Sequence, residues 1–347
     1  MSKLDTLLAI PSLDRTSQPQ MQAAVDGKAK PPRALGRIEE MAVQLALIQN
    51  TPLPALRQPQ LLVFAGDHGL TRSGVAAFPA AVTVSMVDTL LAGRASANAF
   101  ARVVGAQVSV IDAGVAADLS DRQGLIHAKI AMGTQDASEL PAMDMDQAVS
   151  ALLAGASIAT QAIADGADLI CLGEMGIGNS SAAALIIHRL APAPLQSCVG
   201  PGAGHSPEGL EHKHKVLTNA AARTEATDPL NVLAQFGGYE IAMMAGALLA
   251  CAKARVAVVI DGVICSAAAL VALRLAPQAR EYCIFAHASF EPGHKIIMDA
   301  LQAKPLLDLD MRVGEGTGAL LAIPLLQAAC ALLSDVADLK DVLEASA

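Results

Sequence analysis

Four short stretches of this chain carry residues whose types and spacing can do chemistry. Gly173-Glu174-Met175-Gly176-Ile177-Gly178-Asn179-Ser180-Ser181 sets a carboxylate beside a glycine-rich turn. Such a turn ahead of a helix presents backbone N–H groups to an anion. Val199-Gly200-Pro201-Gly202-Ala203-Gly204 repeats the device. There Gly202 and Gly204 let the backbone approach a ligand closely, and Lys213 follows far enough along the next helix to return a positive charge to a phosphate. Ala286-His287-Ala288-Ser289-Phe290-Glu291-Pro292-Gly293-His294 offers a hydroxyl, an acid and two imidazoles, without the compact H-x-x-x-H spacing of a metal site. Arg312-Val313-Gly314-Glu315-Gly316-Thr317-Gly318 holds Glu315 between two glycines ahead of a long apolar helix. The glycines leave the carboxylate open to a flat substrate. Apolar company disfavours its charged form and raises its pKa toward the range of a general base.

Each stretch also has a plainer reading. A Glu just ahead of a helix can serve as a cap. A single Lys on a helix is usually a solvated face residue, and His212, His214 and Lys215 fit that face. The first stretch approximates the G-x-G-x-x-G dinucleotide fingerprint, which expects an acid about twenty positions on to hold a ribose hydroxyl. No Asp or Glu occurs between Glu174 and Glu208.

These residues need elements to hold them. Strand-like apolar runs at 61–65, 107–111, 169–172, 256–260 and 282–286 alternate with helical stretches at 80–104, 145–164, 181–190, 207–224 and 239–254. Another helix is expected over 37–49, where Ile38, Met41, Ala42 and Leu45 recur at helical spacing. Short apolar runs separated by helices read as an α/β fold: an open parallel, Rossmann-like sheet with helices on both faces. In such a sheet the ligand sits beyond the C-terminal ends of the strands. The runs are followed by Gly66-Asp67-His68-Gly69, Asp112-Ala113-Gly114, Gly173-Glu174, Asp261-Gly262 and His287-Ala288-Ser289, which the topology gathers at one edge. We expect a catalytic core over 58–300 and a small helical lobe, packed on it, made from 1–57 and 301–347.

Composition narrows the function. Of the 347 residues 53% are hydrophobic and 16% charged, which supplies a large core and excludes a disordered chain. The net charge is -9 and no Lys/Arg run exists, so no nucleic-acid partner is expected. With two Tyr, six Phe and no Trp, an aromatic substrate must be gripped by aliphatic and Met side chains. The six cysteines include no C-x-x-C pair and read as buried thiols of a reducing cytosol. No secretory signal pattern opens the chain. Residues 316–334 carry no charge and are long enough to cross a bilayer. Pro324 and Gln327 interrupt them, and Glu315 and Asp335 flank them in place of Lys/Arg. A buried helix is the expectation, with no membrane contact.

Taken together, the motifs resemble the nicotinate-nucleotide–dimethylbenzimidazole phosphoribosyltransferase family of the cobalamin lower-ligand pathway. The resemblance runs from Lys30-Pro31-Pro32 and the stretch at 35–40 through 65–69, 173–181, 199–204 with Lys213, 260–270 and 289–294 to 305–319, in order. It implies that nicotinate mononucleotide donates its phosphoribosyl group to a benzimidazole-type base, with nicotinate leaving. The position matching the family's base is Glu315, and Glu174 would assist near the ribose and acceptor. Gly176, Gly202, Gly204, Lys213 and Ser289 would hold the donor phosphate and its surroundings, with Asp67 and His68 also at the substrate site. The resemblance further implies no metal or redox cofactor, and a homodimer. Where the family usually has Gln this chain has Ser85, and Asp88-Thr89 stands for Asn-Phe. Ser85 and Met175 are therefore expected to shape an altered acceptor pocket. Two other readings compete: a non-catalytic nucleotide-binding relative of the same fold, and a dinucleotide-dependent oxidoreductase.

Overall fold

The computed structural model describes residues 2–202, 204 and 206–345; Ala203 of the second glycine-rich stretch lies outside the described residues. Three helices lead in: α1 (Lys3–Leu8), α2 (Gln18–Asp26) and α3 (Arg37–Gln49). The first half of the sheet follows, with β1 (Pro59–Gly66), α4 (Ala81–Leu91), α5 (Ser96–Val104), β2 (Gln107–Gly114), β3 (Leu125–His127) and α6 (Met145–Ala164). Next come β4 (Leu169–Met175), α7 (Asn179–Leu190), α8 (Leu195–Cys198), α9 (Pro207–Ala222), α10 (Pro229–Phe236) and α11 (Tyr239–Lys253). The second half closes with β5 (Ala257–Ile260), α12 (Val263–Leu275) and β6 (Cys283–Phe285). Beyond it lie β7 (His287–Ala288), α13 (Pro292–Ala300), β8 (Leu307–Asp308), α14 (Thr317–Ser334) and α15 (Leu339–Glu344).

The main sheet has six strands in the order β3-β2-β1-β4-β5-β6, and every pairing is parallel. Parallel strands need helical crossovers, and these cover both faces. Leu61 to Ala65 are accordingly fully buried, which is why β1 reads as an unbroken apolar run. The order runs outward in two directions from β1 and β4. Their C-terminal ends flank the switch point at which an open α/β sheet leaves a crevice.

The helical stretch expected over 80–104 is two helices. Gly93 adopts φ +72° between them, a left-handed conformation that ends α4 and turns the chain into α5. Strand β3 is three residues long, too short to leave an apolar signature. Helix α12 lacks amphipathic periodicity because it is buried on nearly all sides.

Helices α6 and α14 are both long and apolar enough to cross a membrane by length and composition. In this fold α14 packs on α3, α5 and β4, and most of its side chains are buried within the protein. Both chain ends meet there: α2 and α3 pack on α14, and Lys28 pairs with Asp338 at 3.1 Å.

Candidate active site

A cavity of about 150 Å³ opens beyond the C-terminal ends of β4 and β5. Its wall is built from Glu174 to Ser180, from Gly262 to Ile264, from His287, Ser289 and Glu291, and from Arg312 to Gly314. Val75 to Phe78 complete it, and the exposed side chains of Phe78 and Val313 mark its mouth. Glu174, Met175, Gly176, Gly202 and Ser289, picked out from the sequence, are all on this wall.

Glu174, the penultimate residue of β4, is buried. Asn179, the first residue of α7, donates its side-chain N–H to the Glu174 carboxylate. Burial, and then the nearby carboxylates of Asp261 and Glu240, push the Glu174 pKa up to about 8; Glu315 adds to the effect and Asn179 opposes it. The carboxyl group is therefore mostly protonated at neutral pH.

Glu315 sits in a turn that few sequences could make. Gly314, Glu315 and Gly316 have φ of +82°, +62° and +79°, three left-handed residues in a row. A left-handed non-glycine costs conformational energy, and such strain collects at functional sites. The turn presses directly on β4: a Cβ on Gly173 would lie 2.7 Å from the Glu315 carbonyl oxygen. Gly314 in turn lies against the Glu174 carboxyl group. The two acids are thus adjacent. Glu315 is buried, and its Oε2 accepts the Ala97 N–H at 3.4 Å, in the first turn of α5. Burial raises its pKa, with Asp261 adding and the Ala97 N–H opposing. Its neighbours Val313 and Gly314 form the cavity wall beside it.

Asp261 fixes the surroundings of both acids. Its Oδ1 accepts the Ala319 N–H at 2.9 Å, in the first turn of α14, and lies 3.5 Å from His287 Nε2. Burial works against a charged His287, yet Asp261 raises its pKa. His294 behaves oppositely. Burial, then His287, drive its pKa down to about 3, so it is neutral. Its Nδ1 accepts the Ser289 N–H at 3.1 Å and its Nε2 lies 3.2 Å from Ser266 Oγ. His294 is the positioning residue for Ser289.

Behind the wall at Ser180 and Gly202, and not itself on it, Lys213 reaches out of α9 with its chain fully buried. Its Nζ donates to Ser180 Oγ and to the Gly200 carbonyl, each at 3.1 Å. Burial lowers its pKa to about 8, while Glu291 works in the other direction. Gly202, at φ +56°, brings its backbone beside Ser180 and Lys213. Gly204 is left-handed too, but a side chain there would meet nothing within 4 Å. Lys213, Ser180, Gly202 and Ser289 together form a cradle that fits an anion. The lysine supplies a charge, and the loop and α7 supply polar hydrogens.

Asp67 and His68 are brought behind the wall, not onto it. Thr83 donates to Asp67 Oδ1 at 2.6 Å and accepts the Ile177 N–H at 3.2 Å, so Asp67 holds the glycine-rich turn through α4. Burial raises the Asp67 pKa. His68 Nε2 is 2.7 Å from Glu240 Oε1, and the His68 Cβ supports Gly178 from below. Burial opposes charging of His68, but Glu240 outweighs it and raises the pKa. Ser85 is exposed on α4: helical spacing turns it outward from the buried Thr83, and it is not on the cavity wall. Sequence reasoning passed over Asn179, Ser180 and Glu291. The helix start at Asn179 and the acid beside Ser289 were the available signals.

All six cysteines are buried free thiols. Among the described residues no group of His, Cys, Asp and Glu is arranged to hold a metal ion.

Known proteins agree with this architecture. The family described as "Phosphoribosyltransferase" (DBI_PRT) matches residues 10–342. The nicotinate-nucleotide–dimethylbenzimidazole phosphoribosyltransferase of Cupriavidus taiwanensis is 48% identical over 329 residues, which is 94% of this chain and 95% of that one. The protein of the same name from Aromatoleum aromaticum is 47% identical over 335 residues, 96% of this chain and 97% of its own. The crystal structure of CobT from Thermus thermophilus superposes with a TM-score of 0.91 at 42% identity, covering 94% of this chain and 98% of that chain.

Proposed function

Since the chain belongs to the DBI_PRT phosphoribosyltransferase family, we propose that it transfers the phosphoribosyl group of nicotinate mononucleotide to dimethylbenzimidazole or a related base. The products are nicotinate and the α-riboside phosphate of the acceptor. One observation carries the reading: Ser180 and Gly202, backed by the buried Lys213, and the buried acid Glu174 line one cavity, with Glu315 directly behind its wall at Gly314. A phosphorylated sugar seated with its phosphate on the cradle extends toward the acids.

The chemistry follows from the charges. An acceptor nitrogen attacks the anomeric carbon as the bond to the nicotinate ring nitrogen breaks. That ring leaves as an uncharged pyridine, so no strong acid is required. The acceptor must shed its N–H proton, and Glu315 takes it; its raised pKa and place beside the wall suit a base. Glu174, mostly protonated at neutral pH, places a polar group by the ribose without adding a second negative charge. Met175 supplies a flexible, polarisable surface to the flat acceptor. Asp67 and His68 act from behind, by fixing the Gly176 turn.

In the same reading, the core over 58–300 carries a lobe from 1–57 and 301–347, supported by the packing of α2 and α3 on α14. The chain works as a homodimer in the cytosol. Exposed apolar side chains at Phe78, Phe290 and Val313 supply a surface for pairing, and six unpaired thiols suit a reducing compartment.

The test is incubation with nicotinate mononucleotide and a panel of bases, with products identified by mass. Release of nicotinate together with a riboside phosphate of the added base is the expected result. Donor binding with no transfer to any base would leave the non-catalytic reading in its place.

A further inference from the structure

Glu291 lines the cavity at 9% exposure and takes no part in the displacement described above. Its surroundings are those of a bound anion. Burial raises its pKa above the ordinary carboxylate value, while the Lys213 charge that it faces and the Gly202 N–H that it accepts work in the other direction. It lies so close to Gly200 that a Cβ there would run into it. Its own N–H points to Ser289 Oγ at 3.4 Å. Lys213 meanwhile spends its hydrogen bonds on Ser180 and the Gly200 carbonyl. A phosphate set on Lys213, Ser180 and Gly202 therefore arrives where a carboxylate already stands. Two anions in contact cannot both stay ionised.

We propose that Glu291 is a built-in stand-in for the donor's phosphate: its carboxylate holds the cradle in the free protein and takes up one proton from solvent when the phosphate arrives. The carboxylate becomes a carboxylic acid whose O–H donates to a phosphate oxygen, and no bond to carbon or phosphorus is made or broken. This rests on the reading of the cradle as a phosphate site. The result is a cradle that never stands as bare positive charge and that binds phosphate less tightly as pH rises. Lys213 on α9 and Arg312 ahead of Gly314 are the charged groups that face Glu291, and the phosphate brings its own second ionisation. His294, on the helix that Glu291 precedes, stays neutral.

Calorimetric titration of the whole chain with nicotinate mononucleotide, in two buffers of different ionisation enthalpy near neutral pH, counts the protons taken up. Wild type should take up more than Glu291→Gln, which keeps the shape and cannot be charged. Lys213 cannot imitate this difference, because removing the carboxylate makes the lysine harder to charge and raises uptake in the variant. Above neutrality, wild-type affinity should fall relative to the variant by up to about tenfold per pH unit. Inorganic phosphate, titrated alongside, separates the two levels of the argument. If phosphate reproduces the difference and the mononucleotide does not bind, the donor assignment fails while the stand-in survives. Infrared difference spectra of wild type need no variant: phosphate binding should remove a carboxylate band and create a protonated carboxyl band. Weaker binding by Glu291→Gln at alkaline pH, or no carboxyl band on phosphate binding, would overturn the proposal.

Discussion

Gly173→Ala asks whether β4 sets the position of Glu315. Gly173 is in the middle of the sheet, paired with Val63 of β1. The Gly314–Gly316 turn rests on it, so a Cβ would lie 2.7 Å from the Glu315 oxygen and 2.9 Å from the Gly316 nitrogen. Ordinary contact starts at 3.4 Å, which leaves a shortfall of about 0.7 Å against the nearer atom. Backbone stands on both sides, so no side chain can swing aside. The overpacking should cost about 1–3 kcal/mol of stability. The larger effect is on placement: a displacement of about 1 Å costs roughly 10²-fold in rate, so a shift of this size should lower kcat by some tens of fold. The proposed phosphate cradle is on Ser180, Gly202 and Lys213, away from this turn, so donor affinity should hold. Single-turnover transfer, donor binding and thermal melting, measured on one preparation, separate these effects. A variant that melts lower yet turns over like wild type would refute the chain of reasoning: either the turn relaxes without moving the carboxylate, or Glu315 is not the base.

Glu315→Gln keeps the side chain's shape and removes the proton acceptor; kcat should fall about 10²–10⁴-fold while donor binding persists. Lys213→Ala should weaken nicotinate mononucleotide binding by roughly one to two decades, from the loss of a charge-assisted contact of about 1.5–3 kcal/mol. Nicotinate riboside, which lacks the phosphate, should bind both proteins alike. Glu174 carries a folded-state pKa of about 8 against an ordinary 4.5, so it favours the folded state below the lower value and that contribution is lost as pH rises through the higher one. Glu174→Gln should therefore melt progressively above wild type between pH 5 and about 8.5; a constant difference across that range would show that Glu174 is not held protonated. Ser85→Gln, on an exposed face of α4, should leave the ratio of kcat/KM for dimethylbenzimidazole over adenine unchanged, and Met175→Ala should change it.

The strands that bound the site were legible because a parallel sheet covered on both faces buries each strand completely, as in Leu61–Ala65 and Leu169–Leu172. The same burial hid α12, whose residues 263–275 carry no periodic face. The break between α4 and α5 rests on one left-handed residue, Gly93, inside a pattern that otherwise continues as helix. Cavity-lining residues at or just past the end of a strand, such as Glu174 and Ser289, were legible from topology alone. Ser85 was not, because a matched motif gives a position along a helix, and only the packing of Thr83 decides which way that helix faces.

Glu315 shows where such legibility stops. Two glycines around an acid already announce a backbone that side chains resist, and the turn is left-handed at all three positions. The sequence also left open that this acid caps a helix. Both descriptions apply at once: the carboxylate accepts an N–H from the first turn of a helix, but that helix is α5, more than two hundred residues upstream, not its own α14. A helix N-terminus stabilises negative charge, while burial and Asp261 oppose it. The balance between them sets how readily Glu315 accepts a proton, so in the proposed reaction the first turn of α5 would tune the base. Ala97→Pro removes that single N–H at the second helical position, where proline is tolerated. It should raise the lower pH limb of the rate and leave donor binding alone. An unmoved limb would assign the contact to packing of the turn.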